Sequence, residues 1–276
     1  MIKINIEEAV RKLAFEADKA QQKLPTMFWE QCVRDVSGKW RNYYGHSSRY
    51  GVKYFRRQQS AVDYNNPEEV SYLQSSINTR RKFYSGLLGI GAMDVTAFCQ
   101  WLEQLRRAIA YRPTNEWLHQ RFATTAHSEV VQAEVLPIAQ KYNDPYARGE
   151  ARGPTFPHFP KSALPYDIVE TGKIDHHYPT LNYSDLYLSA ALETLKKLLS
   201  TDLDKEAYIF AVAYFYQLLI NLHYFAAMNA SLYMNMANGL LEIAGVKGIE
   251  NGIIDFVALR LQPDNFEKFF YDEVMA

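Results

Sequence analysis

One segment is long enough and apolar enough to dictate where the core of this chain lies: Asp204–Gly248, DKEAYIFAVAYFYQLLINLHYFAAMNASLYMNMANGLLEIAGVKG. Ile209, Val212, Ala213, Tyr216, Leu219 and Ile220 recur at helical spacing and predict a helix from about Lys205 to Leu222. A second helix is expected to start near Ala230, with Leu232, Met236, Leu240 and Ala244 on one stripe and Gly245 as its stop. The first helix is apolar nearly all round, as expected at the centre of a bundle. Gln217, Asn221, His223 and the many tyrosines argue against a membrane span. Between the helices lies a polar node, His223 to Ser231, in which Asn229 or Ser231 is expected to cap the second helix. The free N–H groups of that helix start are suited to an anion.

The rest of the chain supplies further helices and one break in character. Residues 4–24 and Met27–Tyr43 read as helices, followed by an arm in which Lys39, Arg41, Arg49, Lys53, Arg56 and Arg57 alternate with Trp40, Tyr43, Tyr44, Tyr50, Tyr54 and Phe55. Such a mixture can hold phosphates and stack bases, but a net charge of −1 and the absence of any nucleic-acid fingerprint weigh against nucleic acid as the partner. Pro67 suits the first turn of a helix running to about Leu88, and GLLGIG after it reads as a tight helix–helix connection. Asp94 is the expected cap of a helix to Tyr111 whose apolar face is Val95, Phe98, Leu102, Leu105 and Ile109. A helix is expected over Asn115–Tyr142, kinked near Pro137.

Residues 143–183 are rich in Pro and Gly and show little periodicity, the pattern of a functional or disordered loop. Asp175-His176-His177 lies there. Neighbouring histidines point in different directions and no third ligand stands at helical spacing, so the reading is a solvated pair and no metal site. Helices are then expected at Ser184–Ser200, with Ser184 as cap, around Ile253–Leu261, and after Pro263. Almost no strand pattern is visible, and the expected class is mostly α. A length of 276 residues with 48% hydrophobic content can bury a large core, and two cysteines, Cys32 and Cys99, are too few for a disulfide framework. A reduced, cytoplasmic-type compartment and a soluble protein are the simplest expectation, since the N-terminal MIKINIEEAVRKLAFEADK has no apolar stretch of the signal-peptide kind.

The central segment resembles the Fic/Doc/AvrB (Fido) superfamily, whose motif His-x-Phe-x-Asp/Glu-Gly-Asn-Gly/Lys-Arg lies between two such helices. His223, Phe225 and Asn229 stand at the family's spacing. Ala227 stands where the family has its Mg²⁺-holding acid, Met228 and Ala230 where it has glycines, and Ser231 where it has the phosphate-binding Arg. The resemblance implies a Fido-like helical core over 67–276, a small β-hairpin flap at about Thr171–Tyr183, and an N-terminal extension over 1–66. It implies His223 as general base, Phe225 as a structural motif residue, and Asn229 with Ser231 and the helix start as binders of a nucleotide anion. With no acid and no Arg, AMP transfer using ATP and Mg²⁺ is expected to be crippled unless Arg148, Arg152, Lys173 or the arm supplies charge. The family's inhibitory motif, Ser/Thr-x-x-x-Glu-Gly/Asn, is not found.

Two functions follow as expectations. One is an impaired relative that works by binding a partner protein, with Trp40, Arg56 and Arg57 in the contact, since aromatics and Arg concentrate binding energy at interfaces. The other is an active transferase moving AMP, phosphate or a nucleotide-derived sugar onto a protein hydroxyl. Some relatives are effectors delivered into host cells, so the resemblance admits a secreted destination.

Overall fold

A computed structural model describes residues 7, 8, 11, 67–109, 124–126, 128, 131–226, 228–246, 248, 249 and 253–276. The N-terminal arm, with Trp40, Arg56 and Arg57, lies outside the described residues, as does Ala227. The described part is mostly helical with one small antiparallel sheet. In chain order come α1 (Pro67–Leu87), α2 (Val95–Ile109), β1 (Thr124–Ala126), a π turn Val131–Val135 running into α3 (Leu136–Lys141), β2 (Tyr166–Glu170) and β3 (Lys173–His177). They are followed by α4 (Ser184–Ser200), α5 (Lys205–Leu222), α6 (Asn229–Ile243), α7 (Ile254–Ala258) and α8 (Pro263–Met275).

Helix α5 is the axle. It packs against α4, α6, α7 and α8, and every residue from Phe215 to Leu222 is buried. Asp204 starts it by accepting a hydrogen bond from the Ala207 N–H at 2.8 Å, leaving the apolar run free to follow. The polar groups inside the run are used. Gln217 Nε2 donates to the carbonyls of Ala258 and Leu261 at 3.0 and 2.9 Å, and Asn221 Nδ2 donates to Gln217 and Ala258. These bonds satisfy the carbonyl at the end of α7 and that of Leu261 in the turn after it, both on buried residues. Among the described residues no helix is long and apolar enough to cross a membrane.

Helix α2 is built as its periodicity indicates. Asp94 accepts from the Ala97 N–H at 2.8 Å, and Phe98, Leu102, Leu105 and Ile109 are buried with Trp101. Trp101 stacks on Phe83 of α1 at 5.5 Å. Arg80 of α1 reaches Glu242 and Asn235 of α6 through a buried guanidinium, which ties the first described helix to the central pair. Gly245 ends α6 at φ +67°, with the Val246 N–H bonded to the Leu241 carbonyl, a glycine-terminated helix stop.

Three expectations need correction. The helix foreseen over Asn115–Tyr142 is interrupted by strand β1, and Pro137 lies in the first turn of α3, where its missing N–H costs nothing. Ser184 is the first residue of α4 rather than its cap; Tyr183 holds the cap position and makes no side-chain cap bond. The segment 143–183 is not a structureless loop. β2 and β3 form a hairpin closed by Thr171 and Gly172 at φ +45° and +79°, the left-handed pair that a two-residue turn requires. β1 adds to the other side of β3, giving the order β1-β3-β2.

The residue pattern does not show the hairpin because its inward face is polar. Along β2 and β3 the buried positions are Asp167, Ile174 and His176. The alternation of apolar and polar residues that marks a half-buried strand is therefore absent.

Candidate functional site

The node between α5 and α6 is a short, closed loop. α5 ends on His223, which takes the left-handed conformation (φ 46°, ψ 53°) while its N–H bonds to the Leu219 carbonyl at 3.1 Å. Residues other than Gly or Asn seldom hold this cap position. The chain turns again at Met228, φ 70°, the N-cap of α6, which makes no side-chain cap bond. Left-handed backbone at a residue with a Cβ is strained, and the strain sits at the place where the resembling motif has a glycine.

Asn229 holds the loop shut. Its Oδ1 accepts from the Phe225 N–H at 3.1 Å and its Nδ2 donates to the Phe225 carbonyl at 2.6 Å. Both polar atoms of the carboxamide are thus spent on the backbone of one residue, Phe225, and Asn229 is 3% exposed. Phe225 is fully buried and packs edge-on against Tyr224, whose hydroxyl lies 3.0 Å from Cys99 Sγ on α2. Ser231 is fully buried. Neither Asn229 nor Ser231 serves as the α6 cap, and neither side chain reaches solvent.

His223 is half-buried, and its ring stacks on Tyr178 at 4.2 Å with 14° between the planes. Tyr178 follows β3 directly and also packs edge-on against His176 at 5.0 Å. The end of the hairpin therefore lies against the histidine of the node. The flap expected at Thr171–Tyr183 overlaps this hairpin, which begins earlier, at Tyr166.

Behind Tyr178 is a buried polar cluster. Asp167 on β2 accepts from three groups: His176 Nδ1 at 2.6 Å on Oδ1, and the Tyr146 hydroxyl at 2.8 Å and Arg260 Nε at 3.1 Å on Oδ2. Burial alone would raise the Asp167 pKa, but the His176 hydrogen bond and the Arg260 charge outweigh it and hold the carboxyl ionised. An ionised carboxylate cannot donate, so the proton lies on His176 Nδ1. Burial pulls the imidazole down to about 4 against the opposing pull of Asp167. At neutral pH His176 is a neutral donor to Asp167, with Nε2 left as an acceptor. Burial and the Asp167 charge keep Tyr146 protonated.

Asp255 of α7 is the second buried carboxyl in reach of Arg260. It is 7% exposed and accepts the Phe256 N–H at 3.0 Å. Burial pushes it up to about 7 in spite of that bond and of Arg260.

The expected site residues are therefore only partly brought together. His223, Phe225, Asn229 and Ser231 meet at the node. Arg148 is engaged by Glu150 and Asn143, Lys173 by Asp175, and Arg152 is exposed. The reading of His176 and His177 as a solvated pair is overturned: strand alternation buries His176 completely and lays His177 over Tyr166 at 5.1 Å. Among the described residues no group of His, Cys, Asp and Glu could hold a metal ion, and Ala227 offers no carboxylate at the motif position, so the described node does not fit Mg²⁺. Asp167, His176 and Arg260 were missed because the three are brought together only by the hairpin and by the turn after α7. The sole sequence signal was the Thr171-Gly172 pair between two five-residue segments.

No known protein family matches the sequence, and no curated protein is significantly similar to it.

Proposed function

We propose that this chain is a Fic-like protein in which the motif loop has become a structural element, and that it acts by binding a partner protein. The observation that carries this reading is the Asn229 clamp on Phe225: the carboxamide expected to hold a nucleotide phosphate has both its polar atoms committed to backbone. Three features support it further. Ser231 is buried and carries no charge, Ala227 removes the acid, and Met228 occupies the glycine position with a side chain packed against the core. The hairpin next to His223 and the order hairpin, α4, α5, node, α6 agree with the Fido-like arrangement. Partner contact is assigned to the basic-aromatic arm, with Trp40, Arg56 and Arg57 as its anchors.

A second reading, transfer of a nucleotide-derived group to a protein hydroxyl, draws on one observation. His223 keeps its place at the helix end and is the motif residue that remains half-exposed beside the hairpin. One experiment separates the two. The full chain and its His223→Ala variant are incubated with labelled ATP, other nucleotides and nucleotide sugars in a lysate of candidate targets. Equal, background labelling by both is expected from the first reading. Labelling that disappears with His223→Ala would replace it by the second. Pulldown that depends on Trp40, Arg56 and Arg57 but not on His223 is the matching positive result.

A further inference from the structure

Helices α1 and α2 meet where one of them carries no side chain. A Cβ on Gly86 would come within 2.2 Å of the Trp101 indole nitrogen, so glycine is what lets the ring lie against α1. Phe83 stacks on the same indole at 5.5 Å with 13° between the planes, and Trp101 is left 6% exposed. Beside this contact is a cavity of about 460 Å³, a size usual for small-molecule sites. Among the described residues its apolar lining is Trp101 and Leu105 of α2, both buried. Arg81 and Lys82 of α1 bring two positive charges, Ser85 and Gln104 are neutral and polar, and no acid lines it. Arg81 donates to Asn78 Oδ1 at 3.2 Å, while Lys82 is exposed and pairs with no acid among the described residues. Attraction to the helix dipole does not account for the two cations. That effect is confined to the last turn of a helix, and α1 has no basic residue there.

We propose that this cavity binds a small organic anion, its acidic group at Arg81 and Lys82 and its apolar body against Trp101 and Leu105. The two cations, with no acid in the lining, select the sign of the ligand and offer it charge-assisted hydrogen bonds. The indole is already fixed by its contacts with Phe83 and Gly86, so binding orders little that was loose. The lining is short, Arg81 to Gly86 on one helix and Trp101 to Leu105 on the other, about 6–8 Å of helix axis. A helical peptide docked through anchors at i, i+3, i+4 and i+7 needs about 10 Å, so the occupant is a compact molecule. None of the lining residues belongs to the loop His223–Ser231, and the outcome leaves the reading of that loop untouched.

The test is a titration of the full chain with 2-naphthoate, 2-naphthyl phosphate and the neutral 2-naphthamide, at low and at moderate salt. Calorimetry gives the affinities, and the indole N–H resonance of Trp101, assigned with Trp101→Phe, gives the place. Saturable binding of at least one anion, at least fivefold tighter than the amide, weakened by salt and accompanied by a shift at Trp101, is the expected result. The tighter of the two anions assigns the acidic group as a carboxylate or a phosphate monoester. Lys82→Gln should lower anion affinity at least threefold and leave that of the amide unchanged. Ser85→Tyr, which places a ring in the cavity from an exposed helical position, should weaken binding of all three. Should a variant fail to fold, the wild-type comparison of anion with amide decides. No saturable binding, equal affinity for anion and amide, an unshifted Trp101 signal, or anion affinity unchanged in both variants would overturn the proposal.

Discussion

Asn229 is the residue on which the central loop depends. Replacing it by Ala leaves the N–H and carbonyl of Phe225 buried without their partner. Each such loss costs about 1–3 kcal/mol, so Asn229→Ala should lower stability by roughly 2–4 kcal/mol in chemical denaturation. The neighbouring Met228 makes a contrast. At φ 70° a β-branched side chain is more strained than Met, so Met228→Val should destabilise, whereas Met228→Gly should stay within about 1 kcal/mol of the parent. The glycine relieves the strained backbone and gives up part of the packing of a half-buried side chain. Nearly equal stability of the Val and Gly variants would show that the left-handed turn is not where the loop's cost lies.

Helix α7 is short, five residues, and carries its own pH response. Burial raises Asp255 from an ordinary carboxyl value to about 7. A carboxyl raised on folding contributes stability that is complete below its unfolded value and is lost as pH rises through its folded value. On this account the protein loses stability between about pH 4 and pH 7, on the order of 2–4 kcal/mol for a shift of that size. Asp255→Asn keeps the acceptor for the Phe256 N–H and cannot ionise. Its stability relative to the parent should therefore grow from pH 5 to pH 8, measured by denaturation at both. His176 acts in the opposite sense. Its imidazole is lowered to about 4, so its contribution rises with pH between about 4 and 6.5. The difference between the two proteins cancels that term, and a flat difference across pH would contradict the buried, neutral Asp255.

At the scale of the molecule, the link between α5 and the C-terminal helices is polar as well as apolar, since Tyr216 packs on Phe266 and Phe270 while buried amides hold the turn after α7. Gln217 and Asn221 carry the carbonyls of Ala258 and Leu261, and Asp144 accepts from the Gln262 N–H at 2.9 Å and from Asn265 at 2.8 Å at the start of α8. Replacing Gln217 by Leu keeps the bulk but removes two buried hydrogen bonds, leaving the Leu261 carbonyl without its side-chain donor while Asn221 still serves that of Ala258. We expect a loss of about 2–3 kcal/mol and early amide exchange in α7 and the turn after it, ahead of α4 and α6. Uniform exchange across all helices would mean that α7 has no separate stability. The same turn carries Arg260, so its rigidity fixes how the guanidinium meets the hairpin.

What the sequence determined by itself was whatever rests on local periodicity and caps. The apolar run at 205–222 gave the central helix with its bounds, the stripe after Asp94 gave α2, and Pro263 marked the start of α8. The mostly helical class follows from these, because a chain this apolar at 3.6-residue spacing has to bury its helices against each other. The tertiary structure alone decided the sheet and the chemistry around it. Two strands of five residues, one with Asp167 and the other with His176 facing inward, have no apolar alternation to read, and their polar groups become bearable only when Arg260, 93 residues from Asp167, reaches it. The role of Asn229 was likewise undecided by sequence, since a helix cap, a ligand contact and a loop clamp use the same carboxamide. Which of them it makes depends on the turns at His223 and Met228, and left-handed backbone at a His and a Met is not encoded by residue type.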